Sequence, residues 1–314
     1  MLYQNPEGSW ALEYKKLGKS GLEVSSIGLG TAFRSGLTDE SPEAIGRALD
    51  LGITLIDTAE VYRDGRSEEL IGKVISDRRD DVVVKTKVAR DHLRYEDVLK
   101  AAEGSLRRLQ VDVIDLYLVH HPNPQVTLKE TMRAMEELVD KGAVRHIGVS
   151  NFDAPLINEA QEALSKHEIV ANEVKYNLVE RDIETEVLPY CKNENITIIA
   201  YSPLARGLLT GKFGEGTEIP DGHWRKRDSL FGPRSLGKGL ELADKLKEIG
   251  EAHGKTAGQV AMNWLVAKPV VVPIFGVSNV SQVEENCGSV GWRIGEDELE
   301  MVERAYRTYR MYMM

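Results

Sequence analysis

Along the chain, short apolar runs alternate with longer stretches in which apolar residues recur every three or four positions, and the alternation repeats about eight times. Runs of this kind read as buried strands, and the three-to-four spacing reads as a helix with one apolar face. The strands are predicted at 26–30, 53–57, 82–87, 113–120, 146–149, 169–174, 197–201 and 270–274. The first helix opens at Ser41-Pro42-Glu43, an N-cap followed by proline, with Ala44, Ile45, Ala48 and Leu49 on one face up to a stop at Gly52. Further helices are predicted over 67–75, 95–109, 128–139, 156–164 and 183–192. Two more follow in succession over 239–253 and 257–267, another begins near Ser281, and the last covers 297–306. In the 95–109 helix, Val98, Ala102, Ser105, Leu106 and Leu109 share the face expected to pack on the sheet.

Ahead of the first of these strands, residues 13–17 and 22–24 flank Gly18-Lys19-Ser20-Gly21, which predicts a short hairpin. Repeated strand–helix alternation builds either a closed parallel (β/α)8 barrel or an open doubly wound sheet. The open sheet calls for Gly-x-Gly-x-x-Gly where a helix opens after the first strand. Gly28-Leu29-Gly30-Thr31-Ala32-Phe33 lacks the last glycine, so the pattern predicts the TIM barrel. A length of 314 residues suits one such barrel. The expected organisation is a single domain over 1–314, with 1–12 a loose extension.

Three consecutive strands run out in ionisable residues. Leu55-Ile56-Asp57 is followed by Thr58-Ala59-Glu60-Val61-Tyr62, the next strand ends in Thr86-Lys87, and the next in His120 before His121-Pro122. Each residue alone has a structural explanation: Asp57 as a turn cap, Lys87 as a side chain leaving for solvent, His120 as a satisfied core histidine. In a barrel, however, the carboxyl ends of the strands share the rim that carries the active site. Taken together, Asp57, Lys87 and His120 mark a candidate site.

The net charge of −10 argues against nucleic acid or an anionic membrane as the main partner. Cys191 and Cys287 are far apart and fit neither a metal site nor a disulfide framework, so they are expected to be reduced structural thiols in a cytoplasmic protein. No apolar run approaches the ~20 residues of a membrane span. His120 and His121 are adjacent on a predicted strand and should face opposite sides, which argues against a shared metal ion.

Ile56-Asp57-Thr58-Ala59-x-x-Tyr62, Thr86-Lys87, Asp115-Leu116-Tyr117-Leu118-Val119-His120-x-Pro122 and Gly148-Val149-Ser150-Asn151-Phe152 resemble the signature segments of the aldo-keto reductases. The resemblance runs from about Tyr14 to about Glu303. It implies a barrel enzyme that reduces aldehydes or ketones with NAD(P)H, with Tyr62 as general acid and Asp57, Lys87 and His120 around it. The residue types suit that chemistry. Hydride arriving at a carbonyl carbon leaves negative charge on oxygen, so a donor must supply a proton there. A free phenol ionises near pH ~10, and a nearby ammonium stabilises its anion.

The resemblance also implies how the cofactor lies. Gly30, Thr31, Ala32 and Asp57 border the nicotinamide end, Ser150 and Asn151 hold its amide with Glu173, and Tyr201 stacks on the ring. Ser202, Pro203, Leu204, Ala205, Arg206, Gly207 and Lys212 form the loop over the pyrophosphate. Gly276, Ser278, Gln282, Glu285 and Asn286 receive the adenosine end, where the helix starting near Ser281 aims N–H groups and its dipole at phosphate. Substrate meets Tyr62, His120, His121 and Phe33. NADPH is the family preference, with NADH as the alternative.

The sequence departs from the family pattern in three places. Glu173 stands where glutamine is usual, and no lysine or arginine stands near Val277-Ser278 or Gln282 to meet a 2′-phosphate; Arg225, Arg227 or Arg234 can substitute. Lys85 stands where a small residue is usual. Strand parity turns Lys85 into the barrel beneath Lys87, to pair with Asp57 or Glu173, unless a bulge turns it outward. Residues 211–238 are polar and basic with His223, Trp224 and Phe231 interspersed, and read as a flap over cofactor and substrate. Residues 308–314 read as a tail that covers one side of the site or packs on the barrel. Two other classes stay open: a Schiff-base aldolase using Lys87 or Lys85, and a nucleotide-binding regulatory subunit with little turnover. A small carbonyl substrate and a monomer are expected.

Overall fold

The computed structural model describes residues 12–33, 36–214, 216–276 and 278–313. Nearly all of the expected N-terminal extension, and Val277, lie outside them. Strands β1 (Tyr14–Lys16) and β2 (Glu23–Ser25) pair antiparallel as the predicted hairpin. Eight parallel strands then close into a barrel: β3 (Gly28–Gly30), β4 (Leu55–Asp57), β5 (Val83–Val88), β6 (Ile114–Val119), β7 (Val144–Ser150), β8 (Ile169–Lys175), β9 (Thr197–Tyr201) and β10 (Val271–Gly276), with β10 pairing back onto β3. The predicted (β/α)8 architecture is the observed one.

The barrel is wrapped by α1 (Ser41–Asp50), α2 (Arg66–Ile75), α3 (Tyr95–Leu109), α4 (Leu128–Asp140), α5 (Ala154–Glu162), α6 (Val187–Asn193), α7 (Pro233–His253), α8 (Ala257–Val266), α9 (Val280–Cys287) and α10 (Glu296–Met313). Their apolar faces meet the outward-facing strand residues in one large core, which includes Val98, Ala102 and Leu109 of α3 as expected. Cys191 in α6 and Cys287 in α9 are both buried, and burial pushes each thiol up to about 12. Among the described residues no helix is long and apolar enough to cross a membrane.

Inside the barrel sits a second, smaller apolar cluster of alternate strand residues, among them Leu55, Leu116, Leu118, Ala171, Ile199, Val272 and Ile274. Leu17 and Val24 of the hairpin belong to it, so β1 and β2 plug the end where the strands begin. The plug is pinned by Lys15, whose Nζ donates to the carbonyls of Val266, Lys268 and Val271 at 2.7, 2.9 and 2.6 Å. Gly18 makes the turn with φ at +52°, and a Cβ there would stand 2.3 Å from the carbonyl oxygen of Val170. Only glycine lets the turn approach the barrel so closely.

The structure corrects several expected boundaries. Glu40, not Ser41, is the cap of α1; Ser41 is already helical, and its hydroxyl accepts from Thr38 N at 2.9 Å. Helix α6 begins only at Val187, after a single 3-10 turn over Asp182–Glu184. Helix α7 starts six residues before position 239, because Pro233 opens it after Gly232 and α7 carries Gly237 and Gly239 within its turns. The expected C-terminal tail is the end of α10, which packs on α7 with Tyr309 buried.

Candidate active site

Strand parity and register bring the ionisable residues together. Asp57, the last residue of β4, stands opposite Lys85 of β5, and Ser150 of β7 stands opposite Glu173 of β8. Asp57, Lys85, Lys87 and Glu173 all project into the barrel above the apolar interior cluster, and both lysines have no exposed surface. Lys87 Nζ contacts Asp57 Oδ1 at 2.5 Å, donates to the Thr58 carbonyl at 2.9 Å and reaches the Tyr62 hydroxyl at 3.1 Å. Tyr62 opens a short 3-10 turn between β4 and α2, in which Arg63 and Asp64 adopt left-handed φ values of 54° and 56°. Such backbone costs energy and persists where the surroundings hold it.

His120 lies just beyond β6, and its ring meets that of Tyr62 edge-on at 5.7 Å between centroids. Opposite-face placement of His120 and His121 does not hold. Their rings stack at 5.0 Å, because both have left the strand and pleat alternation no longer applies. Phe33, expected in the substrate pocket, is buried in the core, and its carbonyl accepts from Arg63 Nε at 2.9 Å.

Lys85 points inward, with no bulge in β5, and pairs with both candidate carboxylates. Its Nζ lies 2.6 Å from Asp57 Oδ1 and forms an ion pair with Glu173 Oε2. The Glu173 carboxylate therefore meets the lysines, while its main-chain oxygen accepts from Ser150 Oγ at 2.9 Å and Asn151 N at 2.8 Å. Asn151, at φ 61°, donates through Nδ2 to the His120 carbonyl at 3.0 Å and accepts from the Tyr201 hydroxyl at 3.0 Å. Gly30 pairs with Asp57 across β3 and β4, and the Asp57 carbonyl accepts from Thr31 N and Oγ1 at 2.9 and 2.7 Å; Ala32 follows in coil.

Electrostatics follow from this crowding. Burial pushes the Asp57 carboxyl up, but the ammonium groups of Lys85 and Lys87 outweigh it and hold the group below the usual carboxylate range. Burial lowers both lysines, Lys85 more strongly, with Asp57 opposing. His120 is driven down to about 3 by burial and then by Lys87, so it stays a neutral imidazole near neutral pH.

The residues expected along the cofactor lie on the neighbouring rim. After β9 the chain runs through Ser202, Pro203, Leu204 and Ala205 to Gly207, with left-handed φ of 55°, 48° and 57° at Ser202, Ala205 and Arg206 and 92° at Gly207. Within this stretch Ala205 N donates to the Ser202 carbonyl and Gly207 N to the Leu204 carbonyl, both at 2.9 Å, so these N–H groups close the turns of the rim. Lys212 lies against Gly207, where a Cβ would stand 2.9 Å from its Nζ. Gly276 ends β10. Ser278 N donates to Gln282 Oε1 at 2.8 Å, the Glu285 carbonyl accepts from Gln259 Nε2 at 2.7 Å, and Asn286 is buried.

One residue, Asn279, went unread in the sequence, and Arg206 was read only as part of the loop over the pyrophosphate. Asn279 caps α9 by accepting from Gln282 N at 3.0 Å, an Asx signal three residues ahead of a helical position. Arg206 bridges Glu180 at 2.7 Å and Asp228 at 2.6 Å, and its carbonyl accepts from Arg225 Nε at 2.9 Å, which ties the expected flap to the rim after β9. Nothing local in the sequence reveals those partners. Among the described residues no group of three or more His, Cys, Asp or Glu could hold a metal ion.

The sequence pattern of the Aldo/keto reductase family matches residues 26–307. The chain is 37% identical over 305 residues to Aldo-keto reductase YhdN of Bacillus subtilis (strain 168), covering 91% of each chain. It is 33% identical over 299 residues to a probable voltage-gated potassium channel subunit beta of Arabidopsis thaliana, covering 89% of this chain and 91% of that one. Among solved structures, an aldo-keto reductase from Klebsiella pneumoniae in complex with NADPH superimposes with a TM-score of 0.80 at 31% identity, covering 94% of this chain and 95% of that one. Fold and sequence agree, and the chain belongs to the Aldo/keto reductase family.

Proposed function

We propose that this oxidoreductase reduces small aldehydes or ketones to alcohols with NADPH as its preferred cofactor, and that Tyr62 gives the proton. One observation carries the reading: the Tyr62 hydroxyl lies 3.1 Å from an ammonium that Asp57 holds at 2.5 Å, at the mouth of a closed barrel. The donor set suits a nicotinamide dinucleotide. Ser150, Asn151 and Tyr201 form a linked group of amide and hydroxyl partners, and Lys212, lying against Gly207 in the turn at 202–207, gives a diphosphate a cationic partner. When bound, that cofactor supplies the hydride.

The chain's own residues account for the proton. As negative charge grows on the carbonyl oxygen, Tyr62 donates its hydroxyl proton there. Lys87 stabilises the phenolate left behind, and Asp57 fixes Lys87 by its contact at Oδ1. His120, neutral through burial, orients the carbonyl oxygen without adding a charge. Arg225 already donates to the Arg206 carbonyl through two nitrogens, which makes Arg227 and Arg234 the better candidates for a 2′-phosphate.

An aldolase needs an amine open to substrate, whereas Lys85 and Lys87 have no exposed surface and are ion-paired. The likeness to a channel subunit keeps a regulatory role as the second reading. The loss of reduced-nicotinamide absorbance, with NADPH and NADH in parallel and a reactive aromatic aldehyde, decides between them. Oxidation that a Tyr62→Phe variant loses is the expected result. Tight nucleotide binding without turnover would favour the regulatory role instead.

A further inference from the structure

Four charged side chains meet beneath the barrel mouth, and the proposed chemistry uses two of them. Lys85 and Glu173 have no part in it. Yet Lys85 sits 2.6 Å from the same Asp57 oxygen that Lys87 contacts at 2.5 Å, and Glu173 Oε2 pairs with Lys85 while lying 3.5 Å from Lys87. All four are almost wholly buried. A buried ion pair is rarely better for stability than two well-packed apolar side chains, so stability gives little reason for the extra charges. Their effect is felt instead on the groups they touch.

With Lys87 as its only partner, the Asp57 carboxylate would cancel much of the field that Lys87 exerts on the Tyr62 hydroxyl. Lys85 shares that carboxylate and restores the field; Glu173 offsets the charge of Lys85 and brings the four groups to balance. We propose that Lys85 and Glu173 are positioning residues that set this balance, Lys85 easing and Glu173 opposing ionisation of Tyr62.

The other charged or titratable groups around the cluster are few. Glu68 of α2 faces Lys87 but is paired with Arg108 at 2.6 Å, His120 and His121 stand past β6, and Arg90 lies beyond His121. Neither Glu68 nor Arg90 shares an oxygen with Lys87 as Lys85 does.

The test is NMR of protein labelled with 13C at tyrosine Cζ, titrated with pH, the Tyr62 signal being assigned by its loss in Tyr62→Phe. Lys85→Met should raise the pH at which Tyr62 ionises by about one unit, and Glu173→Gln should lower it by a similar amount, the size expected of one charge a few ångströms away. The double variant, which strands no charge, should return close to the parent. The pH limb of carbonyl reduction should move with the NMR values.

Shifts of the same sign, no shifts, or a double variant that does not recover would overturn the inference. Should Lys85→Met fail to fold, near-isosteric Glu173→Gln must still lower the ionisation and the double variant must still restore it. The inference rests on the reductase reading only for its effect on turnover. Opposite shifts in a protein without turnover would sustain the charge balance and sink the reductase; Tyr62-dependent turnover with unmoved ionisation would sink the charge balance alone.

Discussion

Both ends of the barrel draw lysine side chains inward, half-buried at one end and fully buried at the other, and they give them different partners. At the hairpin end, Lys15 donates to three main-chain carbonyls around the end of α8 and the start of β10, above an apolar plug of Leu17 and Val24. At the mouth, Lys85 and Lys87 meet the carboxylates of Asp57 and Glu173. Carbonyl dipoles are fixed in place and cannot change charge, so they suit a joint that must only hold. Carboxylates and ammonium groups can exchange protons and shift one another's acidity, which suits a place where a proton must move. On the proposed reading, drawing a charge inward serves two purposes in one fold, and the partner distinguishes them.

Substitutions at the two ends should therefore separate cleanly. The largest effect is expected from Tyr62→Phe. Turnover should fall by about 10²–10⁴-fold with urea stability and nucleotide affinity near the parent, as steady-state rates and fluorescence titration would show. Leu17→Ala should do the reverse, lowering unfolding free energy by about 2–5 kcal/mol while kcat per folded molecule stays unchanged. A fall in kcat of the folded fraction would mean that the plug reaches the mouth. Lys15→Met should cost about 1–3 kcal/mol, because buried carbonyls lose a charged donor, again without a change in kcat/KM.

A further expected effect is a slope with pH. His120 takes up a proton near 6.5 when free but only at about 3 in the fold, so the unfolded chain binds that proton first. The stability this lends is fully present above pH 6.5 and is lost as pH falls toward 3. Urea unfolding from neutral pH downward should show a shallower decline for His120→Gln. Identical slopes would assign the acid sensitivity to the carboxylates of the mouth.

What the sequence disclosed depended on how local the deciding interaction is. The runs at 197–201 and 95–109 end at the predicted residues because apolar period and flanking residues act over a few positions. Lys85 could be placed on the inner face by parity alone, but only closure of the barrel shows that one lysine meets carboxylates from β4 and β8 together. The stacking of His120 on His121 was hidden because it depends on where β6 stops. The start of α7 was obscured because 233–238 belong by composition to the polar stretch 211–238. Gly239 leaves room for Leu208 there, since a Cβ would stand 2.6 Å from a Leu208 methyl and push that side chain aside.

The two buried thiols make the protein its own clock. With Cys191 in α6 and Cys287 in α9 covered and held in the protonated form, a thiol reagent can consume them only when the surrounding helices come away. The rate of that consumption in the native buffer thus times the breathing of two separate stretches of the outer helical ring. Adding nucleotide while counting reacted thiols would show how far around that ring a ligand at the mouth is felt.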